Sequence, residues 1–390
     1  MSVDFKVPEP KWNSPLATLV LDLERLRSKH FVTQVPPYIF LQLKNIFQAL
    51  ENLGSARIEG NNTTLSEYVE KIIEDRTDLD ESDQELNNLN EAISFIEENT
   101  DRDTVIDRAY ISNLHKVVTQ KLTPPPSGEG SETPGQLRKK NVKIAQSAHK
   151  PPAGGVPLES IFDEFIQFIN QPLSEQNQLL MVAVAHHIFM YVHPFDNGNG
   201  RTGRLLNYAL LIKLGFNVQV GGRILNPSSV FYTDRDKYYE MLGLADAFDD
   251  NSALAWCEYF LNGLKNQIEK IQALTDRDYT RDEVLLPALK KAHERRLITD
   301  QEHQILMYLV KSEDMAIKSS ELDRFGLKSS SEKSYVMKKL RESKMVAPTI
   351  ENGRTYTIRF ANSYLLRSVV QLLEEKGFVA DFLNNAEMKS

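Results

Sequence analysis

Residues 193–204 read HPFDNGNGRTGR. His193 closes an apolar run, where a neutral imidazole can accept a proton from an incoming hydroxyl. Gly198 and Gly200 flank Asn199 and let successive backbone N–H groups turn inward toward a ligand. The stretch LLNYALLIKLG follows, so the loop opens a helix whose N-terminus adds unpaired donors and positive partial charge. Arg201 and Arg204 lie three apart on its first turn and share a face, where their guanidinium forks can grip phosphate oxygens. Two fixed cations beside a helix N-terminus suit a polyphosphate. Pro194 ends the preceding helix, and Phe195 is expected to enter the core and pin the loop. A base beside a phosphate cradle implies phosphoryl or nucleotidyl transfer to a hydroxyl, with catalysis resting on positioning and charge stabilisation. Each residue alone has a structural reading; their concentration in one short loop is what favours chemistry.

The elements that must hold this loop are mostly helical by periodicity. Helices are expected at 16–26, at 38–53 with Gly54 as the stop, and after capping boxes at Thr64–Glu67 and Ser82–Glu85. Another is expected at 105–122. Residues 123–157 are rich in Pro, Gly and Ser and read as a long loop with a short extended pair around Val142–Ile144. Helices resume at 158–169, 175–192, 199–214, 235–247 and 252–274. The charged stretch 275–283 reads as a bridge between domains. Beyond it come helices at 284–296 and 300–311, a helix-turn-helix, a hairpin turning at Asn352-Gly353, and a last helix at 364–375. Helix-turn-helix plus hairpin resembles a winged helix. The division expected is 1–100, 101–275 and 276–390.

The 390-residue length fits two or three domains, and the net charge of −8 argues against bulk binding to nucleic acid. Cys257 is the one cysteine, which excludes an intrachain disulfide framework and a Cys-rich zinc site. The N-terminus lacks a secretory pattern, and the apolar run 179–192 is short for a membrane span and broken by His186 and His187, so a cytoplasmic protein is expected. His186, His187 and His193 lack the spacing of a helical zinc pair; His186 reads as a hydrogen-bonded core residue. Trp256, Tyr259 and Phe260 fall at helical spacing and read as core.

HPFDNGNGRTGR resembles the signature of the Fic family, H-x-F-x-(D/E)-G-N-G-R-x-x-R. AVAHHIFMYV, LLNYALL, PGQLRKKNVKI, DRDKYYEML and WCEYFLNGL extend the likeness over about residues 16–270. The resemblance implies a mainly α Fic-type helical bundle with a β-hairpin flap, and a protein adenylyltransferase moving AMP from ATP to a Ser, Thr or Tyr hydroxyl. It makes His193 the general base and Phe195 the loop anchor. Gly198, Asn199, Gly200 and Arg201 would hold phosphates, with Arg204 on the γ-phosphate. Residues 142–152 would form a flap that holds a target protein by strand addition. Tyr238 and Tyr239 are candidates for the adenine pocket. The family's Asp or Glu for Mg²⁺ (or Mn²⁺) is Asn197 here: its amide oxygen can ligate without charge, or Asp196 can act through water. A homodimer is a family-level expectation.

Residues 55–61, SARIEGN, match the family's inhibitory motif (S/T)-x-x-x-E-(G/N) through Ser55 and Glu59. In relatives carrying it, the Glu pairs with the second signature arginine and puts ATP in a non-productive pose. The expectation is therefore an autoinhibited enzyme. Two alternatives stand beside it: a de-adenylylating hydrolase using Glu59, and a DNA-binding regulator with a weakened core. DNA contact would run through the lysines and arginines of 328–359, which Glu332 and Glu342 dilute.

Overall fold

A computed structural model describes residues 5–28, 34–74, 80–144, 149–216, 228–351, 353–380 and 383. Among these, the chain builds α1 (Pro15–Ser28), α2 (Pro37–Ile58), α3 (Leu65–Glu74), α4 (Glu81–Asn99), α5 (Arg108–Thr119), α6 (Val156–Asn170), α7 (Glu175–Val192) and α8 (Asn199–Lys213). Then follow α9 (Ser229–Tyr232), α10 (Arg235–Ala245) and α11 (Asp250–Thr275). The helix α7 is apolar around its circumference and is buried almost throughout from Leu179 to Val192, so it forms the axis of the bundle. It packs against α6, α8 and α11. Trp256 of α11 donates its indole N–H to the Ala183 carbonyl of α7 at 2.6 Å, which fixes the register of those two helices.

The SARIEGN stretch sits at the end of α2, and the helix reaches it only because Gly54 does not stop it. A side chain at 54 would fall inside the ring of Tyr232 on α9, so Gly54 serves close packing within the helix. The helix runs on to Ile58, with Glu59 as its C-cap, and turns away at Gly60 with φ +115°. The second expected capping box also shifts. Asp80 and Asp83 form it and α4 begins at Glu81, which releases Glu85 to face the α8 loop. The Thr64–Glu67 box forms as expected.

One other expectation is corrected. Residues 142–144 carry no strand, and among the described residues no hairpin stands in the 142–152 segment; residues 145–148 lie outside the described residues. The stretch 275–283 is helical: α12 (Arg277–Tyr279) leads through a π-helical turn, Thr280–Leu285, into α13 (Leu286–Glu294). Thr280 is buried and donates to the Leu274 carbonyl at 2.8 Å, and Arg281 pairs with Asp278 and Asp282. Side-chain pairing of this kind turns a charged run into helix.

Next come α14 (Asp300–Lys311), β1 (Ala316–Lys318), a 3₁₀ turn (Ser319–Phe325), α15 (Ser330–Glu342), β2 (Val346–Pro348), β3 (Thr355–Ile358) and α16 (Leu365–Glu375). The antiparallel sheet has the order β1-β3-β2, with Ile317 opposite Tyr356 and Val346 opposite Ile358. The strand β1 was not anticipated; three residues are too few to show alternation. Of the expected turn, Asn352 lies outside the described residues. This C-terminal part rests on α2 and α3. Gln42 donates to the Ile358 carbonyl at 3.0 Å and accepts from the Phe360 N–H at 2.7 Å, and Arg367 pairs with Glu70.

Candidate active site

The loop between α7 and α8 is built from its backbone outward. His193 caps α7 in the left-handed region (φ 48°), its N–H donating to the Phe189 carbonyl at 3.0 Å. Phe195 is fully buried and stacks on His115 of α5, the ring centroids 3.8 Å apart. Burial pushes the His115 pKa down to about 4, so the ring is neutral. Its Nδ1 accepts from the Gly135 N–H at 2.8 Å, which leaves Nε2 to donate to the Asn197 carbonyl at 2.9 Å. Asn199 closes the loop on itself: its Oδ1 accepts from the Phe195 N–H and its Nδ2 donates to the Phe195 carbonyl, both at 2.9 Å. Gly198 has φ +72°, and a Cβ there would lie 2.8 Å from Thr119 Cγ2, so conformation and space both require glycine.

Arg138, in the PGQLR stretch, ties this loop to the segment before α6. Its guanidinium donates to the carbonyls of His193 (2.7 Å), Val192 (3.2 Å), Pro152 (2.7 Å) and Lys140 (3.1 Å), and its N–H to Pro194 (2.9 Å). Burial also pushes the His193 pKa down to about 4, so its imidazole is neutral at physiological pH. Its Nδ1 lies 3.4 Å from the Met190 carbonyl oxygen, an arrangement that keeps the proton on Nδ1 and the lone pair on Nε2.

Both arginines of α8 are almost wholly buried. Arg201 donates through Nη1 to Glu85 Oε1 at 2.7 Å and through Nη2 to the Glu129 carbonyl at 2.6 Å. Arg204 donates through Nε to Ser55 Oγ at 2.8 Å, and through Nη2 to the Ser55 carbonyl at 2.9 Å and Glu59 Oε1 at 2.7 Å. Arg201 Nε and Arg204 Nη1 are buried with no protein acceptor. Donors of this kind, left unpaired at a helix N-terminus, fit an anionic ligand. Burial raises the Glu59 pKa, but the charges of Arg204 and Arg201 outweigh it and hold the group below the usual carboxylate range. Glu59 also comes so close to Gly200 that a Cβ there would overlap its carboxylate.

The loop residues, Ser55 and Glu59 thus meet at one place. Tyr238 and Tyr239 are divided. Tyr238 is buried, with its hydroxyl on His186 Nε2 at 2.9 Å, whereas Tyr239 is part-exposed beneath the Arg235 guanidinium. His186 is the expected hydrogen-bonded core residue, its Nδ1 accepting from the Asn207 amide at 2.8 Å. Asp196 is committed to the facing α5–α6 loop: Ser131 Oγ donates to it at 2.6 Å and the Glu132 N–H at 2.8 Å. His115, Arg138, Glu85 and Glu129 were not singled out from the sequence. The only available signal was the PGQLR match, which contains Arg138.

Residues 105–211 match the family model described as Fic/DOC family. The protein adenylyltransferase Fic of Drosophila erecta is 29% identical over 200 residues, covering 50% of this chain and 36% of that relative. The one from Drosophila virilis is 28% identical over 200 residues, with 50% and 37% covered. The chain thus matches little more than a third of the length of these relatives. Among solved structures, a Fic family protein from Desulfovibrio desulfuricans G20 superposes with a TM-score of 0.52 at 17% identity, covering 91% of this chain and 98% of that one. A Fic-domain-containing signalling protein from Bacteroides thetaiotaomicron VPI-5482 gives 0.50 at 17% identity, with 67% and 96% covered. At that identity these likenesses speak for the fold. The loop geometry lies within residues 105–211, the stretch that is similar to the Fic/DOC family.

Proposed function

We propose that the protein transfers AMP from ATP to a hydroxyl of a target protein, and that Glu59 holds it at rest. The observation that carries both readings is the setting of Arg204, a buried guanidinium at a helix N-terminus with one N–H unpaired and another on Glu59. The target hydroxyl oxygen attacks the α-phosphorus and passes its proton to His193 Nε2. The bond from the α-phosphorus to the bridging oxygen breaks, and pyrophosphate leaves. The α8 N-terminus and the arginines hold the phosphates and offset the charge that grows on the leaving group. A divalent cation, when bound, would neutralise phosphate charge, and the oxygen donors around Asn197 suit a hard ion such as Mg²⁺. With Glu59 in place, the γ-phosphate is refused its arginine and meets a carboxylate.

The test uses ATP labelled at the α-phosphate with wild type, Glu59→Gly and Glu59→Gly/His193→Ala, reading label on the protein itself and on added polypeptide. Strong label in Glu59→Gly, weak label in wild type and a loss of about 10²- to 10⁴-fold in the double variant are expected. Equal label with and without His193 would end the assignment of the base.

A further inference from the structure

Resting on the nucleotide reading above, the structure assigns Glu129, in the loop between α5 and α6, the charge that the motif itself lacks: we propose that its carboxylate ligates the divalent cation accompanying the nucleotide phosphates.

Acidic groups from several elements surround the α8 loop among the described residues. Asp196 accepts from Ser131 Oγ, the Glu132 N–H and the Asn197 N–H. Glu85 is buried, with one oxygen on Arg201 and the other accepting from Asn61 Nδ2 at 2.7 Å. Glu59 is on Arg204. Glu129 differs. Its backbone is fixed, because its carbonyl takes the Arg201 bond and Gly130 beside it takes Asn197 Nδ2 at 2.9 Å. Its carboxylate is loosely held, 3.5 Å from Asn197 Nδ2 and 3.6 Å from Arg201 Nη2, with its side chain 40% exposed. Both distances exceed those of a strong charge-assisted hydrogen bond. Its Oε1 faces Gly60, on the turn that carries the inhibitory glutamate. The carboxylate therefore stands between the motif position and the brake, next to two buried guanidinium donors that await an anion.

Asn197 supplies the second, independent step. Its Nδ2 faces two acceptors, the Gly130 carbonyl and Glu129 Oε2. An aspartate at 197 would put a carboxylate oxygen where Nδ2 stands, against a carbonyl oxygen and a second carboxylate. The amide is thus the side chain that lets Glu129 come this close. The negative charge has moved from the motif to a facing loop and is not missing. Magnesium prefers oxygen donors and is commonly held by one or two carboxylates together with substrate phosphates, a demand Glu129 meets.

The test reads metal binding directly. The probe is Mn²⁺, followed by electron paramagnetic resonance, on the full chain carrying Glu59→Gly with α,β-methylene-ATP bound. Glu129→Gln is expected to weaken Mn²⁺ in the ternary complex by about 10- to 100-fold while the metal-free affinity for the analogue holds or improves. Glu129→Gln/Asn197→Asp, which returns the charge to the motif, is expected to recover most of that loss. Three results would overturn the assignment. Mn²⁺ affinity could be untouched by Glu129→Gln but lost in Asn197→Ala. The analogue could tighten equally with and without metal in Glu129→Gln, which would make Glu129 an anion-repelling group. Or the parent could bind no analogue at all, which would remove the nucleotide reading as well. In the first two cases that reading survives.

Discussion

Removing the Glu59 carboxylate should weaken the ligand-free protein and strengthen its grip on ATP by about the same free energy. Arg204 is 1% exposed and has three acceptors, of which only Glu59 is charged. Stripping one partner from a buried ion pair costs about 3–5 kcal/mol, because the remaining charge stays out of water. Glu59 keeps 22% exposure, so solvent screens part of this and about 2–3 kcal/mol is the better figure. The ligand-free Glu59→Gly variant should then melt about 2–4 °C below wild type. A polyphosphate supplies the missing negative charge, so ATP should bind the variant roughly 30- to 150-fold more tightly. Glu59→Gln keeps a neutral acceptor for Nη2 and should fall between. Differential scanning calorimetry with and without ATP, together with titration calorimetry, measures both sides. A Glu59→Gly protein as stable as wild type, with the same ATP affinity, would falsify the claim that this pair withholds Arg204 from the phosphate.

Other outcomes follow from single positions. Gly198→Ala forces an L residue to φ +72° and sets its Cβ 2.8 Å from Thr119 Cγ2; the strain alone is about 1–2 kcal/mol, and urea unfolding should show at least that loss. Glu51 is buried in α2, accepting from the Ser229 N–H at 2.9 Å, and burial pushes its pKa up to about 8. The folded chain therefore keeps a proton that the unfolded chain releases above its ordinary pKa of 4.5. Stability should fall as pH rises from about 4.5 toward 8, with a deficit of about 3 kcal/mol at pH 7. Glu51→Gln should flatten that pH dependence and leave the protein more stable than wild type at pH 7, seen as a higher urea midpoint there and little change near pH 4.

What could be read from the sequence is local. The boundaries of α7, read at 175–192, stand as expected because a helix apolar on all sides, ended by His-Pro, has no competing assignment. The start of α8 stands for the same reason, since Gly198 marks it. Gly54 misled because a glycine inside a helix has two uses, termination and close packing, and only the position of Tyr232 selects between them. The Asp80 box displaced the Ser82 one because both satisfy the same local rule, and the choice between them sets which way Glu85 faces.

The residues that went unread share a physical reason. Arg201 meets Glu85 across 116 residues, and Arg204 meets Ser55 across 149. Carboxylates, serines and arginines are ordinary surface residues by type, and nothing in their neighbours marks them as buried partners. Ser55 and Glu59 are legible only because a family pattern names them; Glu85 reads as part of a capping box and Glu129 belongs to no pattern, so the roles of both needed the fold. The loop therefore announces which chemistry it could perform, while its state is set by side chains brought from elsewhere. Three carboxylates from α2, α4 and the α5–α6 loop converge on two arginines, and each is held differently. Glu85 is locked by two bonds, Glu59 takes a single bond on a turn that ends its helix, and Glu129 is fixed at its backbone with only long contacts to its carboxylate. Those differences in restraint give the order in which the groups can move when an anion arrives. On the proposed reading Glu85 stays as structure, Glu59 would have to leave for a γ-phosphate to bind, and Glu129 would give up only two long contacts, to Asn197 and Arg201.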